Sequence, residues 1–524
     1  MLEGERSYQR GQGNLVPSNN ASSAPESPVI PKAQENPWYI QHFTKLLIGF
    51  GLGGGAIAIL LPWMLWFFCG MSSGSSDQLR LHLLYVTGGI IAVLTLLQTN
   101  WKNQGDRLKI DADIKKNEQD AKNEAAKREQ DAVKSERDHT RQVHAERRSR
   151  YTTAVEQLAN EKATVRLGGI YTLVGLVDEW LADDALEQEE RQKEGQVIIN
   201  NLCSYIRSPF PLALKAEILE DDSGPGNYEG DFSKDQAAFH EEQDVRRSIF
   251  DEMSKRSSSV ILSDEGDVIE TIPGKWREFD IDFSRAPIFY PLNAITIEKG
   301  NFSSAKFYSN ADFNEATFIE TADFSAVIFP KAAEFSEATF AQAAKFNEAT
   351  FAQAAEFSEA TFAQTTGFNA AAFAQRADFS GTKFTSFANF SGVKFTNTAN
   401  FFAATFTDAA IFVAAAFTNT ANFFGTKFTQ WVNFRQATFS KSVIFIDTTF
   451  KNYEPFFVSG NFRARFSVHS AQDDYKFEVS ESHRPIETEQ ITVADGRVFT
   501  IPVGCELFDP APLPAPKPKE KSTE

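Results

Sequence analysis

Phenylalanine recurs through the middle of this chain with a regularity that leaves few folds open. It stands at 302, 307, 313, 318, 324, 329 and so on to 445 and 450, the spacing alternating five and six residues without a slip. Two residues before each of these 28 positions stands only Ala, Thr, Val or Gly. The segment is an 11-residue repeat, near A-[DEN]-F-[SN]-x-A-T-F-A-x-[AT].

A single helix does not accommodate this pattern. Five-residue steps at 100° each put the rings on two stripes about 140° apart, and Thr, Val and Phe are poor helix formers. A flat strand fails too, because a five-residue step reverses the side-chain face and a six-residue step keeps it. A chain that turns a corner between successive Phe satisfies both steps. Each short strand then points its Phe and the small residue two before it inward, since positions i and i−2 share a face. Ser, Gly, Asn and Ala between them suit corners. The expected product is a β-solenoid whose large and small inward residues stack from coil to coil at about 4.8 Å.

The triplets Ala311-Asp312-Phe313, Ala322-Asp323-Phe324, Ala377-Asp378-Phe379, Ala388-Asn389-Phe390 and Ala421-Asn422-Phe423 meet the pattern A-[DN]-L-x-x with Phe for Leu. In these residues the segment resembles the pentapeptide-repeat family. The resemblance implies a right-handed, four-sided β-helix. Because one residue is added at every second repeat, a coil would hold 22 residues rather than 20, and the 28 Phe would make seven coils, a rod of roughly 30 to 35 Å at the strand spacing. An 11-residue coil is the alternative, with an interior that hardly holds two Phe rings. Trp276 to Phe283 is expected to open the first irregular coils, and Asn452 to about Leu507 to close the last, with strands such as Gln490-Ile491-Thr492-Val493.

Before the repeat, Leu46 to Cys69 runs 24 residues without a charge, enough to cross a hydrocarbon core of about 30 Å. A second apolar run, about Leu81 to Leu97, follows a Gly/Ser-rich turn, Gly70 to Arg80. The pair reads as a transmembrane hairpin, with Trp38, Tyr39, Tyr85 and Trp101 near its ends, where amphipathic rings prefer the interface. The turn offers only Arg80, whereas Lys32, Lys45, Lys102, Arg107, Lys109, Lys115 and Lys116 flank the other ends, so both termini are expected in the cytoplasm. No basic-then-apolar signal peptide starts at Met1.

From Asp106 to Arg150 charge and Ala dominate, with Glu118/Lys122 and Glu124/Arg128 at i,i+4, which predicts a solvated helical stalk of roughly 65 to 70 Å. Ala121, Ala125 and Ala132 leave weak self-association, hence a homo-oligomer, open. Ala154, Leu158, Val165, Ile170, Leu173, Val174 and Val177 then recur near helical spacing, as do Val197, Ile198, Leu202 and Ile206 before Pro209 and Pro211. Arg150-Tyr151 to Gln157-Leu158, Val165 to Tyr171, Leu202 to Arg207 and, more loosely, Asp244 to Phe250 resemble the helical module that stands between hairpin and repeats in many bacterial pentapeptide-repeat proteins.

The expected architecture is therefore mixed. A disordered tail (1–40) leads to the transmembrane hairpin (45–98), a charged helical stalk (101–150) and the helical module (151–260). The Phe-cored β-solenoid (275–466), a C-terminal cap (467–508) and a Pro/Lys-rich disordered tail (509–524) follow.

The chain's chemistry is sparse. Gly49-Phe50-Gly51-Leu52-Gly53-Gly54 matches GxGxxG, but inside an apolar span and after no strand, so packing is the better reading. Gly51 and Gly55 form GxxxG, expected to pack near Gly88 and Gly89. His42, His82, His139, His144, His240, His469 and His483 make no HxxxH or HExxH, and Cys69, Cys203 and Cys505 form no pair or CxxC. Only His82, near a span boundary, invites a functional thought, and an interfacial position accounts for it. No catalytic, cofactor-binding or metal-ligating residue is nominated, and no cofactor is expected.

A formal charge of −18 argues against direct nucleic-acid binding, which needs clustered Lys and Arg. With 22-residue stacking, Glu315, Glu337 and Glu359 form an acidic column, with Glu348 on the opposite face. Residues 301–375 carry net −6 and residues 376–450 net +3. A polar rod docking a partner and drift after segmental duplication both account for this. The expectation is a bacterial inner-membrane scaffold or protein-interaction module of unknown partner, not an enzyme. By family analogy the runner-up is a nucleic-acid-shape mimic that binds a DNA-handling protein.

Overall fold

The computed structural model describes residues 36–221, 224, 226–479 and 484–510. Most of the N-terminal tail, the C-terminal tail beyond Pro510 and His483 lie outside the described residues. The chain divides into two units at Glu136/Arg137.

In the first unit, helix α1 (Phe43–Cys69) ends on Gly70 in the left-handed conformation, and α2 (Ser73–Leu158) starts three residues later. The turn is shorter than Gly70 to Arg80, because Ser73 to Arg80 are already helical and Arg80 pairs with Asp77 at 3.5 Å. Both helices are long and apolar enough to cross a membrane. The expected Gly51/Gly55 contact with Gly88 and Gly89 is not made: no atom of another helix lies within 4 Å of where a Cβ would stand on any of the four. Gly54 makes the close approach instead, the place of its Cβ being taken by the Thr87 side chain, and Ala58 and Pro62 are the buried residues of α1. Residues 54, 58 and 62 share one helical stripe, offset from residues 51 and 55, so that stripe meets α2. A short helical turn, Trp38–Gln41, occupies the end of the expected tail.

Helix α2 runs unbroken through the expected stalk to Leu158, so Ala154 and Leu158 belong to it rather than to the module's first separate helix. In the second unit α3 (Ala163–Leu181), α4 (Gln188–Arg207) and α5 (Phe232–Ser254) bury Leu173, Leu176, Val177, Ile199, Leu202, Phe239 and Ile249 in one core. A hairpin that the hydrophobic pattern did not single out, β1 (Ser259–Leu262) and β2 (Val268–Ile272), follows.

The repeat is a solenoid with four parallel sheets. Ile328–Phe329 pairs with Thr350–Phe351, and Thr339–Phe340 with Thr361–Phe362, so one coil is 22 residues and the 11-residue alternative is excluded. Going round a coil, the four sides are the Lys306 face, the Asp312 face, the Thr317 face and the Asp323 face. The repeat Phe and the small residues two before them are buried, Phe318, Phe340 and Phe362 forming one of the stacks with centroids 4.7 Å apart.

The alternation of five and six comes from two kinds of corner. The five-residue step crosses a tight turn, as at Phe313 to Ala316, closed by Ala316 N–H donating to Phe313 O at 3.1 Å. Its third residue is left-handed in coil after coil: Glu315 (φ 58), Ala326 (57), Glu337 (59), Glu348 (59), Glu359 (57), Gly381 (66) and Gly392 (64) among them. The six-residue step crosses an open bend, as at Ile319 to Thr321, and the additional residue is accommodated there. The Asp or Asn before Phe serves the tight turn, since Asp312, Asp323 and Asp378 each accept from the backbone N–H two residues on at 2.9 to 3.2 Å. Where Thr points inward, its hydroxyl is satisfied: Thr382, Thr426 and Thr448 donate to Phe357 O, Phe401 O and Phe423 O at 2.7 Å.

Both ends of the ladder are covered. On the first coil, carbonyls that no earlier coil satisfies accept from α5: Gln243 Nε2 to Phe289 O at 2.6 Å, and Arg247 to Pro291 O and Asn293 O at 2.6 and 2.8 Å. Phe250 packs on Phe283 with centroids 4.5 Å apart. At the other end Phe466 and Tyr475 continue two faces, and the hairpin Thr488–Thr492/Val498–Pro502 buries Phe499 and Ile501. An uncovered end is a sheet edge that would pair with other chains.

Candidate interaction surface

The interior is filled by the Phe rings and the small residues beside them, and the polar and charged side chains of the repeat stand on the outward columns. The predicted column Glu315, Glu337 and Glu359 stands exposed at the tight corner between the Asp312 and Thr317 faces, with Glu348 on the diagonally opposite tight corner, as the 22-residue register requires. Sequence reasoning missed the column beside it. Asp312, Glu334, Glu356 and Asp378 are laddered neighbours on the Asp312 face. Burial raises the Glu356 carboxyl above its ordinary range; Arg376 opposes this, and the like charges of Asp378 and Glu334 add to it. Arg376 pairs with Asp378 and lies 3.7 Å from Glu356.

The same columns change character beyond Asp378. The ladder continues as Asn400, Asn422 and Ile444, the amides linked at 2.8 Å. Two residues on, Asn314, Ser336, Ser358 and Ser380 give way to Phe402, Phe424 and Ile446. Phe402 and Phe424 stack outside the core with centroids 5.7 Å apart, and Phe402 is 45% exposed. The signal was present in the sequence, since Phe402 and Phe424 double the repeat Phe401 and Phe423, but the eye follows the inward series.

The hairpin β1–β2 reaches the Thr317 face: Lys383 Nζ donates to Asp264 O at 2.6 Å, and Gly266 (φ 95) is buried against Thr361 and Thr385. Ile261, Ile269 and Ile272 stay exposed on it. At the other end of the strip, Glu220, Asp312 and Glu334 with Phe289, Pro291 and Ser309 line a cleft of about 300 Å³.

Several ionisable groups elsewhere have structural partners. Arg246, 1% exposed, bonds Glu242 at 2.8 Å and the carbonyls of Ile206 and Ser208, and Glu242 also receives Tyr205 Oη and Arg166. His144 lies 2.8 Å from Asp183, which Arg147 also contacts. Burial works to raise Asp183, but these hydrogen bonds outweigh it and hold the carboxyl below its usual range. His42 sits at the start of α1, His240 bonds Gln243 and His469 pairs with Asp509. Burial pushes the Cys203 thiol up to about 11 and Cys505 to about 12, which leaves both unreactive. Among the described residues no group of His, Cys, Asp and Glu is placed to hold a metal. Gly49, Gly51 and Gly54 are all inside α1, where a phosphate-cradling loop cannot form.

A family model described as pentapeptide repeats (9 copies) matches residues 302–350, 324–372 and 346–394. The repeat of this chain is a pentapeptide-repeat β-solenoid, with Phe in the place of the inward Leu. No curated protein and no solved structure matches the chain.

Proposed function

We propose that this protein is a membrane-tethered cytoplasmic scaffold, a non-enzymatic protein-interaction module held at the bacterial inner membrane by α1 and the start of α2, with both termini inside the cell. The observation that carries the reading is the face-specific outer surface of a filled, capped solenoid. Its interior is filled by stacked Phe rings, while its columns offer fixed side chains at coil spacing. Tethering draws on two helices whose apolar residues, among them Leu52, Ile59, Leu60, Phe67 and Phe68, are exposed to the surroundings. Orientation draws on the Lys and Arg flanks.

The runner-up, a mimic of nucleic-acid shape, draws on the acidic columns. Those columns span four coils, roughly 15 Å at the strand spacing, and end in Phe402 and Phe424, which a phosphate backbone does not resemble.

Labelling of intact cells with a membrane-impermeant thiol reagent tests topology in a Cys69→Ser background. A cysteine at Ser73 should react from outside, and one at Lys134 should react only after lysis. Reaction at Lys134 in intact cells refutes the orientation.

A further inference from the structure

The Asp312 face carries two kinds of surface in one continuous strip, and their order specifies an occupant. We propose that the strip docks an amphipathic α-helix of a partner protein, with Lys or Arg along one half of the helix and aliphatic or aromatic residues along the other. The proposal rests on the interaction-module reading and names the partner chemistry.

Charge sets the first half. Seven carboxylates occupy the two acidic columns over four coils, and among the described residues Arg376 is the cation paired with them. Glu334, Glu356 and Asp378 are ladder neighbours of like charge, and Glu356, raised above its ordinary range chiefly by burial and further by these two neighbours, gains from an incoming cation. The cleft of Glu220, Asp312 and Glu334 adds a pocket whose Phe289 and Pro291 accept an aliphatic stem and whose carboxylates accept the charged head. The diagonally opposite columns show no such bias: Asn301, Asp323, Lys345, Gly367 and Asn389 follow one another there.

Apolar area sets the second half. Phe402, Phe424 and Ile446 replace Ser and Asn at one column position, and Ile444 joins them from the neighbouring column. Aromatic rings stacked on the surface, Phe402 exposed and Phe424 half-buried, beside an acidic strip suit a partner that is apolar where they stand and basic beyond them.

Spacing sets the secondary structure. Stacked rings repeat at 4.7 to 5.0 Å along the coils. Side chains on one stripe of a helix advance by alternate steps of three and four residues, about 5.2 Å on average, whereas same-face residues of a strand advance by about 6.7 Å. Over six coil steps, roughly 29 Å or about 20 residues, a helix lying along the coil axis slips by about half a step, whereas a strand slips by nearly two.

The test uses the full chain in phosphatidylcholine nanodiscs, titrated calorimetrically against empty-disc controls. The probe is a 20-residue helical peptide with Lys on one stripe of its first half and Leu and Phe on the same stripe of its second. A peptide of identical composition with Lys and Leu interspersed is the comparison. The segregated peptide should bind at least ten-fold tighter than the interspersed one. Glu334→Gln with Glu356→Gln, and separately Phe402→Ser with Phe424→Ser, should each weaken it at least ten-fold, while Glu348→Gln on the opposite corner leaves it within two-fold. No binding, equal binding of the two peptides, or insensitivity to both pairs overturns the proposal. Photocrosslinking residues placed in cells at Lys306, Thr339, Glu356 and Asn389 separate the two readings. Discrete adducts from faces other than that of Glu356, with the peptide inactive, overturn this docking site and leave the interaction module standing. No adduct from any face, with the peptide inactive, removes both.

Discussion

Replacing Phe362 with Ala removes a fully buried ring that stacks on Phe340 at 4.7 Å and on Phe384 at 5.0 Å and tilts against Phe357. Large-to-small changes of a buried Phe cost about 3–5 kcal/mol, and ring pairs contribute about 0.5–1.5 kcal/mol beyond the area they bury. The coil cannot collapse into the gap, because Thr361 N–H and Lys383 N–H hold the adjoining coils at 2.9 Å. The loss should therefore lie near the upper end, about 4–5 kcal/mol. Hydrogen exchange read by mass spectrometry on the full chain measures it locally, which suits an array whose coils contact only their neighbours. Amides of the coils flanking Phe362 should exchange roughly a thousand-fold faster, at a factor of ten per 1.4 kcal/mol. Glu359→Ala is the control: residue 359 is exposed, and Ala accepts the same φ of 57° as readily as Glu does, so the change should stay within about 0.5 kcal/mol. Similar changes at both positions, or a Phe362→Ala cost below about 1 kcal/mol, would refute the inward register.

The tight corners and the acidic face each give a further expectation. At Gly392, φ is 64° and a Cβ meets nothing within 4 Å, so Gly392→Ala should cost about 1–2 kcal/mol through the backbone alone, whereas Ala403→Gly, at a φ of 53°, should raise the melting temperature or leave it unchanged. A loss at both would show that the left-handed corner is not required. Because the Glu356 carboxyl is raised in the fold, chiefly by burial, the folded state holds its proton more tightly, and stability falls as pH rises from the ordinary carboxylate value of about 4.3 through the raised value of the folded state. Glu356→Gln should melt higher than the unchanged chain at pH 7.5, with the difference vanishing near pH 3.5; a difference that persists at low pH would mean that charge is not its cause.

Much of the fold was legible because the repeat is a local pattern imposed again and again. Phe at every fifth and sixth residue with a small residue two before it permits one inward set, and 24 uncharged residues between Leu46 and Cys69 permit few environments. The sequence also carried the Glu315, Glu337 and Glu359 column once a coil length was assumed. Pairing between coils, by contrast, is a contact across 22 residues, and only the closed ladder separated it from 11. The tertiary structure likewise decided that every tight corner is left-handed at one position and that α5 caps the first coil. It also seated β1–β2 on Lys383 and made Gly54, Ala58 and Pro62 the inner stripe of α1. Those facts depend on which surfaces meet, and neighbours along the chain do not determine neighbours in space. For the same reason the strip that joins Asp312, Glu334 and Glu356 to Phe402 and Phe424 was invisible until stacking put residues 22 apart side by side.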